Sequence, residues 1–405
     1  MLRWLTAGES HGPSLLATID GVPSGLEITT DILRCALQRR RLGAGRGARQ
    51  KWEQDEVKIL AGVRHGRSTG APIAVEIGNS EWPKWEVVMS ADPVAPEALL
   101  IDAGSGDERE VARNKRLTRP RPGHADLPGM ISYDHDDARN ILERASARET
   151  AARVALGAIA QALLEQVAGI RLVSHVVAVG QERARSTMLP HPRDEEALNA
   201  SPVRTLDAEA EKRFLARIEQ AKAAGDTVGG VAEVIAWHVP IGLGSHVQAD
   251  RRLDARIAAA LMSIQSVKGV EIGDGFAQAA LPGSCAHDEL LRDEAGNVTR
   301  AANHAGGIEG GTSNGQPIVA RAAFKPISTI PHALRTIDLD SGEAATALHQ
   351  RSDTCHVVPG AVIAEAEVAL VLADALFVHA GGASVDEMRR NLHAYNAYVG
   401  SRLGR

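Results

Sequence analysis

Residues 137–168 hold the strongest helix signal in this chain, and the run ERASARETAARVALGAIA at 143–160 constrains the fold more than any other stretch. Its apolar positions recur at a helical period and most are alanine, so whatever packs against this helix must come close. Two more Ala-rich helices are predicted, over 250–267 (DRRLDARIAAALMSIQSV) and around 360–378. Aromatic residues make up 3% of the chain and hydrophobic residues 44%. The interior is therefore expected to be small-residue helix and sheet rather than aromatic clusters.

Strand patterns flank these helices. LLATI at 15–19 alternates, VKILAGVRHGRSTGAPIAVEIGN reads as two strands joined by a Gly-rich turn, and RLVSHVVAVG and VGGVAEVIAWHVP read as strands, as does the segment after residue 315. TDILRCALQRRRL at 30–42 is predicted helical, with Thr30 and Asp31 as cap candidates and Gly43 as its stop, and 206–224 is an amphipathic surface helix. Each half of the chain pairs a strand-rich piece with an Ala-rich helix, and no composition break long enough for a linker appears. One α+β unit over residues 1–405 is expected, with a polar, Pro-containing loop over 91–126.

The charges in the first turns of the central helix raise a functional question. On a continuous helix Arg144 and Arg148 share a face with Ala151 and Ala155, while Glu149 and Arg153 form an i,i+4 pair. If the helix instead begins near Ser146, its free N–H groups and dipole end add to Arg144 and Arg148 in an anion site. A second basic run, RCALQRRRLGAGRGARQK at 34–51, interleaves Arg39, Arg40, Arg41, Arg46 and Arg49 with Gly43, Gly45 and Gly47. Glycines let the backbone approach a ligand while arginine forks grip phosphate or carboxylate oxygens. The formal net charge is −6, so such cationic sites are local. With so few aromatics, nucleic acid is not an expected partner.

His11 in GESHG and His124 in RPRPGHAD lie in rigid Gly- or Pro-ruled turns, where a ring is held at a site rather than in a core; His65 in VRHGRS is a weaker instance. NHAGGIEGGTSNGQ, beginning at residue 303, could turn backbone N–H groups toward phosphate. Gln316, however, stands where a phosphate-binding loop would have lysine, which counts against an ATPase. FKPIST adds Lys325, Ser328 and Thr329, and HQRSDTCH gathers Arg351, Ser352, Asp353 and Cys355. No base is tied in sequence to Cys355 as a nucleophile. Three scattered cysteines favour a reducing compartment, and neither a metal site nor a secretory or membrane segment is expected.

Taken in order, GESHG at 8–12, RASARETAARVALGA at 144–158 and RSDTC at 351–355, with RPGHAD, GVEIGDGF, GGTSNGQP and KPIST between them, resemble the chorismate synthase family over about residues 1–398. RRRLGAGRGAR and EIGNSEWPKWE are similar to its actinobacterial-type members. The resemblance implies a β-α-β sandwich, with long helices between antiparallel sheets, in a cytoplasmic homotetramer. It implies a lyase that forms chorismate from 5-enolpyruvylshikimate 3-phosphate by anti 1,4-elimination of phosphate, the last step of the shikimate pathway toward aromatic amino acids. The resemblance further implies a requirement for reduced FMN, supplied by an external reductant with NADPH as an indirect source. By motif, His11, His124 and Asp353 would be catalytic, and Arg40, Arg46, Arg49, Ser146, Arg148 and Arg351 would bind substrate. The flavin, or NADP at Arg40 and Arg46, would be met by Arg40, Arg46, Arg144, Ala145, Ser146, Gln265, Ser266, Gly310, Lys325, Pro326, Ile327, Ser328, Thr329 and Arg351. Two departures stand out: an apparent insertion at 104–115, and His356, Val357 and Val358 ahead of Pro359.

Overall fold

In the computed structural model, strand alternation at the N-terminal end builds the first layer. It describes residues 1–46, 56–99, 113–185, 188–294, 296–347 and 353–403. In β2 (Ser14–Asp20) Leu15, Ala17 and Ile19 are buried while Leu16 and Thr18 face outward, and in β4 (Ile73–Gly78) Ile73, Val75 and Ile77 do the same. With β1 (Arg3–Ala7) and β3 (Glu56–Ala61) they form an antiparallel sheet in the order β1-β2-β4-β3. A second antiparallel sheet has the order β8-β9-β7-β5-β6, from β5 (Arg171–Val179), β6 (Glu182–Arg183), β7 (Gly230–Trp237), β8 (Val267–Ile272) and β9 (Ile318–Phe324).

Two helices fill the space between the sheets. α4 (Thr150–Ala168) packs on β2 and β4, α7 (Val357–Ala380) packs on β5 and β7, and the two helices pack on each other. One hydrophobic cluster runs through all four layers, from Leu15 and Ile77 through Leu156 and Val368 to Val234 and Ala320. This is the expected α+β sandwich. Alanine permits the close approach and Gly157 sets its limit: a Cβ there would lie 2.3 Å from the Ala366 Cβ. The remaining helices of seven residues or more among the described residues are α1 (Thr30–Arg40), α2 (Asp126–Tyr133), α3 (Arg139–Ala145), α5 (Ala208–Ala223), α6 (Leu253–Met262) and α8 (Val385–Leu403).

α7 is buried nearly all round, yet carries Glu365, Glu367 and Asp374. Each meets a cation from elsewhere. Arg39 bonds Glu365 at 2.9 Å, Arg153 bonds Glu367 at 3.2 Å, and Arg256 bonds Asp374 at 2.5 Å. Ser174 also donates to Glu365, at 2.7 Å. Buried charges persist only when paired in this way. Among the described residues no helix is long and apolar enough to cross a membrane.

Several sequence expectations need correction. The helix predicted over 137–168 is broken: Ser146 is extended, with φ −67 and ψ 142, residues 147–149 form a 3-10 turn, and α4 starts at Thr150. Arg144 and Arg148 therefore do not share a helical face with Ala151 and Ala155. α1 ends at Arg40 rather than 42, and its cap is Thr29, whose side chain accepts from the Ile32 N–H. α6 covers only part of 250–267, and α8 was not anticipated. The 303–316 segment is a tight hairpin, Ile308–Glu309 against Thr312–Ser313. N–H groups of Gly306, Gly307, Ser313 and Asn314 already donate within the protein.

Candidate active site

Two groups of side chains are tied to the break between α3 and α4, and a third acts on His356 together with Lys325 of the second. The first is built on the β1–β2 turn. Gly8 is required there, since its φ is +99 and a Cβ would come 2.5 Å from the Ser14 carbonyl. Glu143, at the end of α3, receives the His11 backbone N–H at 3.0 Å and bonds its ring Nδ1 at 2.8 Å. Trp85 stacks on the imidazole with centroids 3.7 Å apart, and the Arg113 and Arg139 guanidinia lie over that indole. His11 is thus fixed in orientation by a buried carboxylate and an aromatic plane. Asn79 ties the loop down by donating to the Ser10 and Gly12 carbonyls.

The break itself answers why this Ala-rich run carries charge. Arg144 donates to the Thr6 and Gly8 carbonyls, both at 3.0 Å, and to the Thr6 hydroxyl at 2.8 Å. It holds the His11 loop instead of presenting an open fork to a ligand. Ser146 accepts from the Arg148 N–H and donates to the Ser10 hydroxyl, and Arg148 reaches the Gly78 carbonyl at 3.3 Å. Buried Arg40 donates to Thr150 Oγ1 and to the Ala147 carbonyl. Glu149 pairs with Arg153 at 2.8 Å, as expected, and accepts from Gln265 Nε2 at 2.5 Å.

The second group surrounds His124. Its Nδ1 lies 2.6 Å from Asp126, which also accepts from the Arg121 backbone N–H, Nε and Nη2. Burial alone would raise the Asp126 pKa, but the bonds from His124 and Arg121 and the arginine charge outweigh it and hold the carboxyl well below the usual range. Arg121 donates onward to Thr329 Oγ1, Lys325 Nζ donates to the Gly123 carbonyl at 2.9 Å, and the Lys325 N–H donates to the Ser266 carbonyl. Ser266 is held at φ +72, an unusual conformation for a side-chain-bearing residue. RPGHAD, the Gln265–Ser266 turn and KPIST thus form one connected patch, and Gln265 links it to Glu149 at the helix break.

Arg46 and Asp353 form the third group, with a 2.9 Å ion pair between two largely buried side chains. Behind them Thr354 donates to the Gly45 carbonyl, and Gly43 and Gly45 press against Val358 and Cys355. Burial pushes the Cys355 thiol up to about 11, which disfavours the nucleophile reading.

Most of the residues singled out in the sequence are therefore joined: His11, Arg144, Ser146 and Arg148 in one group; His124, Gln265, Ser266, Lys325 and Thr329 in another; Arg40 at the break; Arg46 with Asp353. Ala145, Pro326, Ile327 and Ser328 sit within these segments. Gly310 lies at the tip of the hairpin, and no contact among the described residues joins it to the three groups. Arg49, Arg351 and positions 104–112 of the insertion lie outside the described residues. His65 sits at an exposed turn between Val63–Arg64 and Arg67–Ser68. The sequence reading missed Glu143, Trp85, Arg121 and Asp126. Trp85, Arg121 and Asp126 lie inside motifs named above and Glu143 opens the run at 143–160, where it resembles an ordinary helix-surface charge.

The chain is similar to known proteins of one family. The chorismate synthase family model matches residues 2–377. The chain is 60% identical over 396 residues to the chorismate synthase of Beutenbergia cavernae, covering 98% of each chain. It is 59% identical over 399 residues to that of Bifidobacterium animalis subsp. lactis, again covering 98% of each. A crystal structure of a chorismate synthase superposes with a TM-score of 0.76 at 37% identity, covering 99% of this chain and 98% of the other.

Proposed function

The chain belongs to the chorismate synthase family, lyases acting on a small molecule, and from that premise we propose that it converts 5-enolpyruvylshikimate 3-phosphate to chorismate by anti 1,4-elimination of phosphate, with reduced FMN required. The observation that carries the reading is that the His11 and His124 groups, from separate segments, are both tied to one helix break lined by Arg40 and Arg148, with the Arg46–Asp353 pair acting on His356 beside the second. Cations placed by buried partners suit a substrate with one phosphate and two carboxylates, because their positions need no reorganisation as charge develops on the leaving phosphate.

The chain also has features that fit the flavin. Gln265 Oε1 is buried with no hydrogen-bond partner among the described residues, beside the strained Ser266 and the hydroxyl- and lysine-bearing KPIST loop. Gln265, Ser266 and Lys325 through Thr329, with Ala145 and Ser146, would hold it. When bound, reduced FMN supplies electron density to the allylic system as phosphate departs. In this reading the chain's own groups do the rest. His11, oriented by Glu143, and His124, oriented by Asp126, hold protons at the substrate and flavin edges. Asp353, steered by Arg46, assists loss of the ring proton. Arg40, Arg46 and Arg148, with Arg49 and Arg351, grip the anionic groups. Arg144 serves the flavin site by fixing the GESHG loop. A cytoplasmic homotetramer, supplied with reduced flavin by an external reductant that draws on NADPH, completes the reading.

An anaerobic assay of phosphate release and chorismate formation, with and without reduced FMN, tests this directly. Product in stoichiometric yield with phosphate, and only with the reduced flavin, is expected. No product under those conditions overturns the assignment.

A further inference from the structure

His356 occupies the N-cap position of α7 but caps nothing: its side chain takes no hydrogen bond from the helix's first turn. Serine, threonine, aspartate or asparagine would serve there if capping were the purpose. Both of its ring nitrogens are buried and have no hydrogen-bond partner among the described residues. The ring stands edge-on to Phe324, with centroids 5.6 Å apart. Native structures seldom keep a buried polar group unsatisfied without a use for it.

Its surroundings indicate what that use is. Burial, with the charges of Arg46 and Lys325, pushes the imidazole down to about 4 and leaves it neutral near pH 7. Arg46 reaches it from the loop after α1 and Lys325 from the end of β9; Asp353, on its own segment, is paired with Arg46. Lys325 is itself pushed down, by burial and by Lys268. The positive end of the α7 dipole falls at the same place. A field that repels a proton attracts an anion, and an anion here would offset the Arg46 and Lys325 charges and give the imidazole a partner.

We propose that His356 is a ligand-contacting residue of this chain, a neutral hydrogen-bond donor to an anionic oxygen of the phosphate-bearing molecule that Arg46 and Lys325 draw in. A turn of the side chain off Phe324 exchanges a weak ring contact for that bond, a rotamer change of the kind common on binding. The inference rests on the function proposed above, and both FMN and the phosphorylated substrate carry the required oxygens.

The test compares wild type with His356→Ala, His356→Asn and His356→Gln, measuring thermal unfolding without ligand and calorimetric binding of oxidised FMN alone and of the substrate alone. His356→Ala should melt no lower than wild type, since it removes an unsatisfied group. It should bind one of the two ligands about 10-fold more weakly, and Asn or Gln should recover most of that loss. Whichever ligand weakens identifies the oxygen's source. Unchanged affinity for both ligands overturns the proposal. So does weaker binding that comes with a lower melting temperature and is rescued by neither amide, for the ring would then be a packing element. Wild type that binds neither ligand overturns the proposed function, and this inference with it.

Discussion

Asp126 is only 1% exposed, yet it accepts four hydrogen bonds from Arg121 and His124. Its folded pKa lies below the ordinary carboxylate range, so the unfolded chain binds the proton more readily. The stabilisation is therefore complete above about pH 4 and is lost as pH falls through the lower, folded value. Asp126→Asn should cost about 3 kcal/mol at neutral pH, with the gap to wild type closing in urea melts repeated toward pH 2. His124→Ala should lower turnover by at least ~10-fold with binding less affected; an unchanged kcat would reject its proposed role. Cys355 offers a contrast, because burial keeps it protonated while Cys35 and Cys285 are exposed. A thiol-alkylating reagent should label the latter two in the native protein and leave Cys355 intact, as mass spectrometry of peptides would show.

The α4–α7 crossing shows how two element-scale effects compete. Alanine is better than glycine inside a helix by about 1 kcal/mol, which argues for Gly157→Ala as a stabilising change. The added methyl, however, would lie 2.3 Å from Ala366, and overpacking of this kind costs about 1–3 kcal/mol. The variant should therefore be less stable by chemical denaturation, despite the better helix former. The same elements show what a linear pattern can reveal. Alternation in β2 and β4 and the alanine content of α4 were legible because each side chain's fate depends on near neighbours. The break at Ser146 was legible only as an alternative helix start, because serine is tolerated within helices and the interruption is held from afar: Arg144 by Thr6 and Gly8, Glu143 by His11, and Ala147 by Arg40. His11 and His124 could be found from their turns. Asp126 lies two residues from His124 in the same motif, whereas Glu143 could not be assigned to His11, since only the fold joins them.

At the scale of the whole molecule, a formal charge of −6 coexists with a site whose cations are mostly turned inward and paired. Arg40 is 6% exposed, and the Arg46 side chain 11%. Two kinds of protein could own the basic run at 34–51, and salt separates them. A surface that binds nucleic acid through 6–10 phosphate contacts loses roughly 10³-fold or more in affinity between 50 and 200 mM salt. Buried charges lie in low dielectric, beyond most of the ionic atmosphere, and are screened much less. Substrate affinity should therefore fall by no more than about 5-fold over that range, while binding to a random oligonucleotide stays weak throughout. A steep log–log salt slope for the substrate would mean that the arginines act from the surface. The convergence around the α3–α4 break would then not be the binding site, whatever the family's chemistry.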